Sequence, residues 1–365
     1  MNALLAQRAA ALRNGDRAGW MAAVDPSAPK VLRDQEAKRF DGLRSLPLAS
    51  FDLHARTDDT GDLDPAPDRF LPETRETYRF RDYDDRDAVD TLWWTYVQRD
   101  GRWYIGADDA VSDLGLDTTR DIWDLGPVRV VARPHFLVIS HPEQAQRADA
   151  LADIAEEAIG VLGERWDRPW SGRIPLILPG SVSELETILQ STFDLDNFVA
   201  FVVYGSVRDD GWTPTAPRIY IQDRNLSRYQ RPFQLQTLVH ELVHAASVPL
   251  AGPYIPNWVH EGVADWVAGG RRLDEKPPSG SDGVLPRDDE FSTGATTSIV
   301  RAYDEARSAV STLAAVAGRG APSSLVASAG GPKIAPGSVE YLTDDAVRRV
   351  AGISLQELQR RWKAR

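Results

Sequence analysis

His240, Glu241 and His244 stand in the spacing H-E-x-x-H within the helical stretch Phe233 to Ser247, FQLQTLVHELVHAAS. On an α-helix, residues i and i+4 lie one turn apart on the same face, so the two imidazoles can aim at a single point. Two convergent imidazole nitrogens suit a zinc ion. Glu241 is offset around the helix, where its carboxylate reaches a water beside the metal and not the metal itself. The spacing separates ligands from base.

A catalytic zinc takes three protein ligands and keeps a fourth position open. After a Pro/Gly-rich connection, a second helical stretch, NWVHEGVADWVAGG, is expected to start near Asn257 and stop at Gly269-Gly270. Glu261 and Asp265 fall at i and i+4 on one face of it. Glu261 is the candidate third ligand, and Asp265 is placed to hydrogen-bond the far nitrogen of a ligand histidine. His260 points off that face and reads as a packing or rim residue. Leu238, Val239, Leu242 and Val243 make the first helix almost wholly buried, and histidines and a glutamate are costly there unless a partner such as a metal compensates.

H-E-L-V-H followed by W-V-H-E-G-V-A-D-W resembles the gluzincin metallopeptidases, especially the peptidase MA-like group, whose second helix bears W-x-x-E-G-x-A-[DE]. The resemblance covers roughly residues 128 to 365, with its specific signal in 219 to 268. It implies one Zn2+ ion held by His240, His244 and Glu261, with Asp265 behind a ligand. Glu241 would be the general base for hydrolysis of peptide bonds in a peptide or protein substrate through a metal-bound water. The connection from His244 to Glu261 is shorter than in the broader family. Such proteins bear a tyrosine in a Y-x-x-A setting on a later helix, which Tyr303-Asp304-Glu305-Ala306 matches. Tyr303 is then the expected oxyanion donor, with a buried core tyrosine as the competing reading. Residues 217–224, PRIYIQDR, would be the edge strand that aligns an extended substrate, or simply the edge of the sheet.

The surroundings must hold two helices against a sheet. At 365 residues the chain is expected to form two domains, with an α+β fold class. Residues 1–110 alternate helical stretches with breaks and then turn to alternating, aromatic-rich strands, with Asp100-Gly101 as a hairpin signal. Helices followed by a curved antiparallel sheet resemble the NTF2-like (SnoaL-like) cone, a likeness at the level of fold only. Residues 111–127 lose periodicity and read as a linker. Residues 128–365 then read as the zincin-like domain, with a mixed sheet and a mainly helical C-terminal part. Ser181/Glu184 and Ser354/Glu357 look like capping boxes, and 271–297 is a long loop that could form a lid or cleft wall.

A formal net charge of −12 and a pI near 5.1 argue against a nucleic-acid-binding surface. The absence of cysteine leaves His and carboxylate as the only metal ligands of the usual kind. No stretch approaches the length of a membrane span, and residues 1–13 read as an amphipathic helix, not a signal peptide. Proteins with the resembling layout are often exported or membrane-anchored, which would put a leader or anchor outside this chain. A rival reading is a binding or chaperone-like protein with a structural or vestigial zinc and a ligand-binding NTF2-like domain. Glu241 speaks against it, because a structural site fills all four positions and needs no base.

Overall fold

A computed structural model of the chain describes residues 1–56, 68–190, 195, 198–248, 250–252, 254–330 and 339–365. The fold is α+β with three sheets. It opens with α1 (Asn2–Asn14), α2 (Arg17–Met21) and α3 (Lys30–Arg44). Gly15 ends α1 at φ 71, the left-handed backbone that glycine adopts without steric cost. Asp16 then caps α2 by accepting from the Gly19 N–H at 2.9 Å, as its position before that helix predicts.

Six strands follow: β1 (Leu48–Ala55), β2 (Arg69–Phe70), β3 (Glu73–Phe80), β4 (Ala88–Trp93), β5 (Thr95–Arg99) and β6 (Arg102–Ala107). The hairpin expected at Asp100-Gly101 joins β5 to β6, with φ 48 and 76 at its two turn residues. Instead of one curved sheet there are two antiparallel sheets of three described strands, β1-β3-β4 and β2-β5-β6. They meet at Trp94, the single residue between β4 and β5, which is fully buried, and the β5–β6 register slips beside it.

The aperiodic segment 111–127 is tied down by a short helix, α4 (Ile122–Leu125). Ile122 and Trp123 are buried in the N-terminal core, and Tyr78 and Phe80 meet the Trp123 ring edge-on. Beyond it, β7 (Arg129–Ala132), β8 (Phe136–Ser140), β9 (Ile174–Leu178), β10 (Ala200–Val207) and β11 (Pro214–Ile221) form a mixed sheet in the order β10-β11-β9-β8-β7. The three inner strands are parallel and the two outer ones antiparallel to their neighbours. A long helix, α5 (Ala145–Arg165), makes the crossover from β8 to β9, and α6 (Val182–Leu189) follows β9.

Alternation along these strands assigns each side chain to one of two cores. Phe136, Val138, Leu176 and Ile219 face the helices, whereas Leu137, Ile139, Ile177 and Tyr220 pack with the N-terminal segment. A sheet buried on both faces explains why β8 and β9 read as unbroken apolar runs.

The rest is helical: α7 (Asp223–Leu226), α8 (Arg231–Ser247), α9 (Asn257–Ala268), α10 (Thr296–Ala317), α11 (Ala321–Ala329), α12 (Val339–Ala351) and α13 (Leu355–Lys363). Among the described residues, no helix is long and apolar enough to cross a membrane. Two capping boxes form only in part. Ser181 and Ser354 accept from the N–H groups of Glu184 and Glu357, but Glu184 turns to Gly180 and His141, and Glu357 to Arg360 and Arg361. Stronger partners than the cap backbone claim those carboxylates.

The expectation that 217–224 is the sheet edge is overturned. β11 lies inside the sheet between β10 and β9, because β10 folds back antiparallel along its outer side. β10 is therefore the outermost described strand beside the helices.

Candidate metal centre

α8 starts with Pro232 in its first turn, where a missing N–H costs nothing. Its second half is buried on nearly every side by Leu238, Val239, Leu242, Val243, Ala245 and Ala246. α9 starts after Pro256 and stops at Gly269 as expected, but its first N–H is capped from a distance by Asp288 Oδ1 at 2.7 Å. The 271–297 segment thus anchors a helix end. It also places Phe291, buried, edge-on against Tyr303 with ring centroids 5.2 Å apart. Gly262 sets the approach of α10: a Cβ there would lie 2.8 Å from the backbone of Ala306. That close crossing brings Tyr303, one turn earlier on α10, beside the two histidine-bearing turns of α8.

The three expected ligands converge. His240 Nε2 and His244 Nε2 are 2.9 Å apart, and Glu261 Oε2 lies 3.1 Å from the first and 3.2 Å from the second. Tetrahedral zinc bonds of about 2.0–2.1 Å would put donor atoms about 3.3 Å apart, so the triangle matches such an ion to within a few tenths of an ångström. The group can hold a metal ion.

The far side of each ring fixes which nitrogen faces inward. His240 Nδ1 donates to Asp265 Oδ1 at 2.8 Å, the contact expected of Asp265. His244 Nδ1 donates to His260 Nε2 at 3.0 Å. With both Nδ1 positions so used, each ring in its neutral form turns a lone pair toward Glu261. Three lone pairs facing one another across about 3 Å need a positive charge among them.

A proton on His240 is the other way to meet that demand. Burial works against a charged His240, but its hydrogen bonds to Asp265 and Glu261 outweigh that and hold its pKa well above the ordinary value. Burial likewise opposes ionisation of Glu261, yet His244 and His240 pull its pKa well below the usual carboxylate range. Glu241 behaves differently: burial raises its pKa, only partly offset by the two histidines. It stands outside the triangle and lines a cavity of about 350 Å³ together with His240, Asp265 and Tyr303.

No protein-family model matches the chain, and no curated protein does. The site therefore rests on its own geometry.

Tyr303 lies at the centre: its ring is 6.2 Å from that of His240, and its pKa is pushed well above the ordinary phenol value, first by burial and then by Glu261, Asp265 and Glu241. Two residues beside the site escaped the sequence reading. His260 is no rim residue, since it receives the His244 Nδ1 proton; burial and the neighbouring His244 push its own pKa down to about 3. The available signal was that three of the six histidines fall between 240 and 260. Arg307, one turn beyond Tyr303, is fixed by Glu275 and Asp304 at 2.7 Å each, and its Nη1 stands 3.9 Å from Asp265 Oδ2. Nothing in its local sequence pointed to the site.

Proposed function

We propose that the chain is a zinc-dependent peptidase that hydrolyses peptide bonds. The observation that carries this reading is the donor triangle of His240, His244 and Glu261 with a separate, buried carboxylate, Glu241, facing a cavity. A zinc ion held by the three ligands would polarise a substrate carbonyl and bring the pKa of a water from near 16 to about 7. Glu241 takes the proton from the attacking water and passes it to the leaving amine. Its raised pKa suits it to both transfers. Asp265 and His260 hold the ligand rings in the tautomer that offers Nε2 inward. Tyr303, at the cavity wall, donates its hydroxyl to the oxyanion of the tetrahedral intermediate.

The same reading makes the C-terminal part a zincin-like domain of the peptidase MA-like gluzincins and the N-terminal part a variant of the NTF2-like cone whose sheet is split in two. It is supported by the H-E-x-x-H helix packed on the W-x-x-E-G-x-A-D helix beside a mixed sheet. The test is Glu241→Gln, assayed for zinc content and for cleavage of an unfolded protein. Retained zinc with cleavage reduced about 10²–10⁴-fold is expected. Wild-type turnover by that variant would remove Glu241 from its role. Zinc without cleavage of any peptide by the unaltered chain would favour the binding-protein reading.

A further inference from the structure

The cavity beside Glu241 differs from the other hollows of the molecule in what surrounds it. Its walls are Phe198 just before β10, Tyr229 just before α8, Phe233 in the first turn of α8, and Ile299 and Val300 on α10. Tyr229, Phe233 and Val300 are 47, 41 and 54 % exposed, so three of the eight large apolar side chains exposed among the described residues gather around one opening. The Tyr229 and Phe233 rings stack at 4.1 Å with 27° between their planes, presenting a continuous aromatic surface. Leaving such rings in water is unfavourable, and an exposed apolar cluster of this kind marks a place where something binds. Because it is continuous with Glu241 and His240, the occupant is part of the molecule that reaches those groups.

Of the charged groups that line the cavity, only Glu241 has no partner among the described residues. Arg307 is already committed to Glu275 and Asp304, and Asp265 accepts from His240. A negatively charged occupant would lose its hydration without a free partner and would face Glu241. A volume of about 350 Å³ lies in the usual range of about 300–1,000 Å³ for ligand pockets and accommodates one large side chain.

The geometry points to a specificity subsite: the cavity receives a bulky apolar side chain, aromatic in preference, next to the bond that is cut. This deepens the peptidase reading and rests on it for the identity of the occupant. Aromatic rings pack offset or edge-on against the Tyr229–Phe233 surface, a contact that a very small side chain cannot make. Phe233 sets the depth of that contact and Val300 guards the opening.

The test measures binding apart from cleavage. Two labelled heptapeptides, identical except for Phe or Gly at the central position, are titrated by fluorescence anisotropy against zinc-loaded Glu241→Gln protein, alone and combined with Phe233→Ala or Val300→Glu. The Phe peptide is expected to bind about 10–200-fold tighter than the Gly peptide, and each second substitution to shrink that ratio severalfold or more. Equal affinity for the two peptides, binding of neither, or a ratio untouched by both substitutions would overturn the subsite. If the ratio holds while the unaltered protein cleaves neither peptide, the peptidase reading fails and the aromatic subsite stands.

Discussion

His260 Nε2 sits 3.0 Å from His244 Nδ1, on the edge of the ring opposite the nitrogen that meets Glu261. Consecutive residues on α9 therefore serve one ligand from two sides: Glu261 completes the donor triangle, and His260 orients a ring within it. A partner behind a metal-bound histidine is typically worth 10–100-fold in metal affinity. His260→Leu should weaken zinc binding by about that factor, and His260→Asn, which keeps an acceptor, should recover most of it. A chelator competition titration measures both. Equal zinc affinity in all three proteins would show that His260 only packs.

Tyr303 faces the cavity beside His240 and Glu241. Tyr303→Phe should lower kcat by about 10²–10³ with zinc content unchanged, the size of effect seen when one oxyanion donor is removed. If kcat stays and the melting temperature falls, the tyrosine is core packing instead.

Gly262 allows α10 to cross α9 closely enough to present Tyr303. In Gly262→Ala the new Cβ meets the Ala306 backbone at 2.8 Å, and backbone cannot yield as a flexible side chain can. Overpacking of this kind costs about 1–3 kcal/mol. The expected outcome is a lower melting temperature and a reduced kcat with normal zinc content, since the three ligands lie on α8 and α9. An unaltered melting temperature would mean that the helices separate freely.

The His141 ring ties the segment before β7 to α6, donating from Nδ1 to the Pro127 carbonyl at 2.7 Å and pairing through Nε2 with Glu184. The Glu184 hydrogen bond raises its pKa against the opposing effect of burial. A folded pKa above the unfolded value of about 6.5 means that the cation stabilises the fold below about pH 6.5, and that this contribution is lost as pH rises through the folded pKa. The stability gap between the unaltered protein and His141→Gln, measured by urea denaturation, should thus be largest near pH 6 and shrink toward about pH 9. A gap that widens with pH would contradict the assignment.

The metal-binding triangle was legible because its information is local. His240 and His244 lie one helical turn apart, Glu261 and Asp265 repeat that spacing, and Pro256 with Gly269 and Gly270 marks the bounds of α9. What the sequence withheld depends on tertiary contact. His260 looks misdirected on a helical wheel of α9 alone and gains its role only because α8 passes beside it. The sheet edge was misplaced because nothing local to 217–224 reveals that β10 folds along its outer side. The division of the N-terminal strands into two sheets falls at one buried residue, Trp94, and nothing local to it announces a change of sheet. The aromatic cluster at the cavity joins Phe198 to Tyr229 and Phe233 across a strand and a helix, a proximity that only the packed structure supplies.

The central claim is that His240, His244 and Glu261 hold one zinc ion, and an anomalous-difference map recorded on both sides of the zinc absorption edge tests it most directly. The account predicts a single strong peak between the two histidine Nε2 atoms and the Glu261 carboxylate, about 2.0–2.2 Å from each. No peak in crystals grown with zinc, or a peak elsewhere with the three side chains turned apart, would contradict it.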